Sequence, residues 1–145
     1  MHQPVMTRDD VEAFLEQEFP QLHYGGRTYH IESVGPLSAQ LRMDYHERHI
    51  RPGGTLSGPS MMALADLAIY VAILAQIGPV ALTVTTNLSF NFLRKPGKRA
   101  LIADCRILKL GRRLAVAEVG IRSEGMSDLV CHATGTYSIP SNAVS

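Results

Sequence analysis

Residues 59–77, PSMMALADLAIYVAILAQI, form a nearly unbroken apolar run with a single charge, Asp66. No other Asp, Glu, Lys, Arg or His occurs between Pro52 and Leu93. Ala, Leu and Met dominate the run, which favours helix over strand. Ser57 or Gly58 can cap its start, and Pro59 suits the first helical position, where a missing N–H does no harm. Gly78-Pro79 stops it. A helix that is apolar nearly all round must be buried nearly all round, so the rest of the chain has to wrap it. The run approaches the length of a membrane span, but an Asp at the centre of such a span costs about 2.5–3.5 kcal/mol. Only Arg51 stands as a basic flank close to its start. The run therefore reads as the core helix of a soluble protein.

The wrapping material is β-rich. TRDDVEAFLEQEF (7–19) predicts a short amphipathic helix with Thr7 as cap and acids in its first turn, ended by Pro20. TYHIESVGP (28–36) and SAQLRMDY (38–45) predict two strands joined at Gly35-Pro36. A Gly- and Pro-rich loop leads into the apolar helix. Beyond it, VALTVTTNLSFNF (80–92) alternates: Leu82, Val84, Leu88, Phe90 and Phe92 on one face, small polar residues on the other. Three more strands are predicted over 100–110, 113–123 and 128–139. Strands segregated from helices imply an antiparallel α+β fold, with a curved sheet around the long helix. The 145 residues read as one domain, 1–145, with residues 1–24 as an N-terminal helix and lead-in and residues 140–145 as a frayed tail.

A formal net charge of +1 argues against bulk electrostatic binding to nucleic acid or to a membrane. Cys105 and Cys131 lack zinc-site spacing and fall in predicted strands, so they read as buried thiols of a cytoplasmic protein. The start, MHQPVMTRDD, lacks the pattern of a signal peptide.

Asp66 has two readings. It lies on a polar helix edge, bridged to a base from a strand, or it does chemistry. No base lies on its own helix to pair with it. Gly58 stands at the helix start, where backbone N–H groups lack intrahelical partners and carry positive dipole character, and a glycine lets a substrate approach the backbone. An amide that polarises a carbonyl and an acid that attacks it or activates water make a consistent pair. A carboxyl group in apolar surroundings is harder to ionise, which suits proton abstraction near neutral pH.

HIRPGGTLSGPSMMALAD (49–66) resembles the signature of hotdog-fold acyl-CoA thioesterases of the phenylacetate-pathway type, which usually reads His-x-Asn-x-x-Gly-x-x-His-Gly-Gly followed by a helix bearing Asp. LSFNFLRKPGK (88–98), KLGRRLAVAEVGIRS (109–123) and VCHATGTYSI (130–139) resemble the family's strands. The resemblance implies a hotdog fold, a long central buried helix wrapped by a curved antiparallel β-sheet. It implies homodimers that share sites across their interface, often paired into tetramers, and an acyl-CoA substrate with coenzyme A as its only cofactor-like part. Position by position, Asp66 falls on the catalytic carboxylate and Gly58 on the residue whose amide polarises the thioester. Thr85 falls on the Ser or Thr that helps to hold water or the acid. Arg51 stands where the family has Asn, Ser57 where it has His before the glycine, and Pro59 where it has a second glycine.

Arg51 reads as an ion-pair partner of Asp66, as a binder of a polar acyl group, or as a solvated loop residue. Ser57 reads as the helix cap or as a hydroxyl donor in place of the family's His. His49 is grouped with them as substrate-binding. Arg94, Lys95 and Lys98, in the basic turn after the strand that carries Thr85, are the candidates for coenzyme A phosphates. His46 and His49 stand three apart without a third ligand at a motif spacing, so no metal is expected. No G-x-S-x-G elbow supports a Ser-His-Asp triad. The leading function is hydrolysis of a small, medium or aromatic acyl-CoA. The alternative is a non-catalytic acyl-CoA-binding or regulatory module. A dehydratase or hydratase on the same scaffold ranks last, because the helix carries no His.

Overall fold

A computed structural model describes residues 3–141. Its elements follow the order α1 (Arg8–Glu18), β1 (Tyr29–Gly35), β2 (Ser38–Met43), α2 (Gly58–Ile77), β3 (Val84–Phe92), β4 (Leu101–Leu110), β5 (Leu114–Ser123) and β6 (Leu129–Ser138), with short 3-10 turns at Pro20–His23 and Glu47–His49. The six strands make one antiparallel sheet in the order β1-β2-β4-β5-β6-β3. This is the expected α+β order, one long apolar helix against a sheet of antiparallel strands. Residues 142–145 of the tail expected to fray lie outside the described residues.

Local signals account for the ends of both helices. Thr7 caps α1 in a reciprocal box with Asp10, Thr7 Oγ1 accepting from the Asp10 amide and the Thr7 amide donating to the Asp10 carboxylate. Ser57 caps α2 by accepting from the Ser60 amide at 3.1 Å. The first helical residue is Gly58 and Pro59 is the second, one place later than expected. Gly78 closes α2 at φ 103°, a left-handed conformation that favours glycine.

Most of α2 is buried, Leu64, Ala68, Ile69, Val71, Ile73 and Leu74 all at 0% exposure. By length and composition it could cross a membrane, but it is the core helix here, packed on all six strands. Gly135 on β6 sets how closely the helix approaches: a Cβ there would lie 2.6 Å from Leu88 Cδ2 and 2.7 Å from Ile69 Cδ1. One stripe of α2 stays uncovered. Pro59, Met62 and Ala63 are exposed, and Asp66 and Tyr70 are half-buried, at helical spacing along one face.

The strand after α2 begins later than its alternation suggested, because residues 81 and 82 belong to a turn. Among the described residues β3 pairs with β6 alone and forms an edge of the sheet. Its apolar face is not buried within the chain: only Leu88 and Phe90 are half-buried, while Val84 is 49% and Phe92 51% exposed.

Candidate active site

Asp66 occupies the uncovered stripe in the middle of α2, where the helix passes the start of β3. It is half-buried rather than sealed in the core. Its partners are hydroxyls. Thr85 Oγ1 donates to Asp66 Oδ1 at 2.8 Å. The Tyr137 hydroxyl donates to the same oxygen and lies 2.9 Å from the main-chain carbonyl of Asp66. Both donors reach one oxygen because Thr85 and Tyr137 are cross-strand partners in the β3–β6 ladder, and opposed side chains of such a pair share a face about 5 Å apart. Among the described residues no Lys, Arg or His forms an ion pair with Asp66, so the reading as a bridged helix-edge acid does not hold within this chain.

These groups open onto a cavity of about 610 Å³ walled by Phe19, Leu22, Tyr29, Leu67 and Tyr70. Phe19 and Leu22 come from the lead-in, which the sequence offered no reason to place here. Burial raises the Tyr29 and Tyr70 phenols above their ordinary range, so both stay neutral at physiological pH. Thr83, 3% exposed, also lines this cavity, and its hydroxyl has no hydrogen-bond partner among the described residues. An unpaired buried hydroxyl costs about 1–3 kcal/mol. Thr83→Val is therefore expected to stabilise the fold by about 1 kcal/mol, seen as a rise in Tm.

The other sequence-derived residues lie elsewhere. Gly58, Arg51, Phe92 and Lys95 line a separate cavity of about 490 Å³ at the N-terminal end of α2. Asp66 lies eight positions after Gly58 on the helix, about 12 Å along the axis, so a single chain does not bring the two together. Arg51 is exposed on the loop before α2 and is not an ion-pair partner of Asp66 within the chain. Arg94 is tied down, its Nε donating to the Leu129 carbonyl at 2.9 Å and its Nη1 3.9 Å from Asp128. The Lys98 side chain lies beside Gly54, its Cε 3.6 Å from where a Cβ would stand. Ser57 acts as the cap and also donates its hydroxyl to Ser60 Oγ at 2.9 Å, which leaves it engaged inside the chain.

His49 is placed as a structural residue rather than a substrate contact. It is 7% exposed, and both ring nitrogens are taken, Nε2 by Thr28 Oγ1 at 3.0 Å and Nδ1 by Ser60 Oγ at 3.2 Å. Burial first, then the Arg48 guanidinium, lowers its pKa and holds the ring neutral. His46 packs edge-on to it, and among the described residues no cluster of three His, Cys, Asp or Glu is placed to hold a metal ion. Tyr137 is the site residue that sequence reasoning missed. It lies in a predicted strand, but only the register that sets it opposite Thr85 gives it a role.

A sequence model described as the thioesterase superfamily matches residues 53–130. A candidate thioesterase from Silicibacter sp. TM1040, of known crystal structure, is 46% identical, with 96% of this chain and 95% of that chain aligned at a TM-score of 0.87. A mutant of the phenylacetic acid degradation protein PaaI from Thermus thermophilus is 27% identical over 83% of this chain and 99% of that one, at a TM-score of 0.71. A candidate esterase from Saccharolobus solfataricus is 26% identical over 92% of this chain and 86% of its own length.

Proposed function

We propose a reaction from one established premise: the chain belongs to the thioesterase superfamily. It is a hydrolase of thioesters, and its long helix against an antiparallel sheet is the hotdog fold. The finer reading is that it hydrolyses an acyl-CoA with a small, medium-length or aromatic acyl group. The observation that carries this is Asp66 at the wall of an apolar, aromatic-lined cavity, with Oδ1 held by two hydroxyls and Oδ2 unbonded to any described residue. In this reading the acyl group fills the cavity among Phe19, Leu22, Tyr29 and Tyr70. Asp66 either attacks the thioester carbonyl or takes a proton from the water that does. The C–S bond breaks, and water supplies the oxygen of the carboxylic acid and the proton of the coenzyme A thiol. No cofactor beyond the coenzyme A of the substrate enters the reaction.

The Gly58 amide polarises the carbonyl oxygen from a second copy of the chain. Two features support self-association as a homodimer or a dimer of dimers: the unpaired apolar edge at β3, and the uncovered stripe of α2 that carries Met62, Ala63 and Asp66. The cations Arg51 and Lys95 beside the α2 N-terminus, with Lys98 and Arg94 close by in sequence, suit the phosphates of coenzyme A. The buried thiols Cys105 and Cys131 fit a reducing cytoplasm, and burial pushes the Cys105 thiol up to about 12.

Subunit complementation tests the shared site. Gly58→Pro removes the amide donor at the first helical position, where proline is tolerated, and Asp66→Asn removes the acid. Each homo-oligomer is expected to be inactive on a panel of short, medium, aromatic and dicarboxylic acyl-CoAs, read by release of free thiol. Unfolding the two together and refolding them is expected to restore a fraction of the wild-type rate, because each mixed dimer holds one site with both groups intact. Failure of the mixture to regain activity removes the shared-site reading. A wild-type protein that binds acyl-CoA without releasing thiol supports the alternative, a non-catalytic acyl-CoA-binding module, a reading favoured by Ser57 being engaged in capping where the family has its His.

A further inference from the structure

Two donors converge on one oxygen of Asp66 and leave the other bare. Tyr137 is 2% exposed, so its hydroxyl is not a solvent group that happens to point inward. Its single proton goes to the carboxylate of Asp66, and its oxygen lies 2.9 Å from the main-chain carbonyl of the same residue. Its ring stacks on Tyr70, one helical turn beyond Asp66, with centroids 6.3 Å apart and planes 29° apart. Tyr70 is in turn anchored, its hydroxyl donating to the Ala81 carbonyl at 3.1 Å. Thr85 completes the arrangement from β3. Phenol, ring stack and threonine together fix the rotation of the carboxylate about its own axis.

We propose that Tyr137 is a positioning residue which, with Thr85, saturates Oδ1 of Asp66 and presents Oδ2 as the single working oxygen of the site. This deepens the thioesterase reading and rests on it. A carboxylate free to spin offers two equivalent oxygens and two orientations; this one offers a single acceptor toward the cavity. Burial, then the neighbouring Asp66 charge, raises the Tyr137 phenol far above its ordinary range. It therefore remains a donor through the whole working pH range and takes no part as an acid or base. Aligning the reacting atoms is a rate effect and not a substrate-affinity effect.

The test separates kcat from KM. Tyr137→Phe keeps the ring stack and removes the donor, and it is expected to lower kcat about ten- to hundredfold, the loss of one hydrogen bond to a charged group, with KM within twofold. Thr85→Val is expected to behave in the same way, since it strips the same oxygen. A Tyr137→Phe protein that is folded by circular dichroism and keeps kcat within twofold overturns the proposal, as does one that only raises KM. A second readout does not depend on turnover. Proton NMR of the wild type is expected to show a slowly exchanging phenol resonance downfield of the amide envelope, absent in Tyr137→Phe and shifted upfield in Asp66→Asn, where the acceptor is neutral. A spectrum without that resonance, or one unchanged in Asp66→Asn, overturns the proposal even if the Phe variant fails to fold. If the wild type hydrolyses no thioester while the resonance behaves as expected, the thioesterase reading fails and the Tyr137–Asp66 bond stands by itself.

Discussion

Asp66→Asn is expected to reduce thioester hydrolysis by about a thousandfold or more while leaving the protein folded, the loss typical of removing a general base or nucleophile. The reason is geometric. Asn has the shape of Asp, and its amide oxygen can accept from Thr85 and Tyr137 as Asp66 Oδ1 does now. That choice sends the amide nitrogen to the position of Oδ2, facing the cavity. The site then presents a donor where the chemistry needs an acceptor, and a neutral group where it needs a charge. Because no cation pairs with Asp66 among the described residues, the substitution strands no buried positive partner, and a large loss of stability is not expected. Thiol release and Tm measured on the same preparation check both halves. A variant that keeps more than a tenth of the wild-type rate removes Asp66 from the chemistry, and with it the acyl-CoA reading.

The second large effect concerns stability. Leu64→Ala is expected to cost about 3 kcal/mol, because a fully buried leucine loses its transfer energy and leaves a cavity in a packed interior. Leu64 is 0% exposed on the face of α2 that meets the sheet. At roughly 3 °C per kcal/mol for a domain of this size, Tm falls by about 10 °C. Met62, two residues earlier on the same helix, is 40% exposed on the uncovered stripe. Met62→Ala is expected to change the stability of the isolated fold by less than about 0.5 kcal/mol, and to weaken self-association if the stripe is where a second copy docks. Thermal melts of the two variants, with sedimentation equilibrium, distinguish a helix wrapped on all sides from one with an open face.

That contrast shows how much of the molecule can be read from residue order. The density of Ala, Leu and Met across 59–77, the cap at Ser57 and the glycine at 78 identify α2 within a residue at each end, because capping and apolar periodicity are local effects. The strands likewise follow from alternation and turn chemistry, and the order of elements implies the antiparallel wrap. The uncovered stripe is not legible, because Met62 is as apolar as Leu64 and composition carries no information about which face a sheet covers. The late start of β3 and its exposed edge come from the same source: alternation reports two faces, and pairing decides which of them is buried.

Within the site, Asp66 and Gly58 are readable as residue types in a pattern, and Thr85 is marked only by the family resemblance. Their arrangement is not readable. Asp66 and Thr85 meet because β3 passes the middle of α2, whereas Gly58 stays about two turns away on the same rod. His49, grouped by sequence with the substrate-binding residues, is a buried strut between Thr28 and Ser60. Tyr137 was one aromatic among several in a strand until register set it across from Thr85. The sequence by itself determined the elements, their order and the presence of a lone acid in an apolar helix, since these depend on contacts between near neighbours in the chain. Only the tertiary structure decided which oxygen of that acid is held and which is left bare, because that depends on hydroxyls 19 and 71 residues away, brought together by strand pairing.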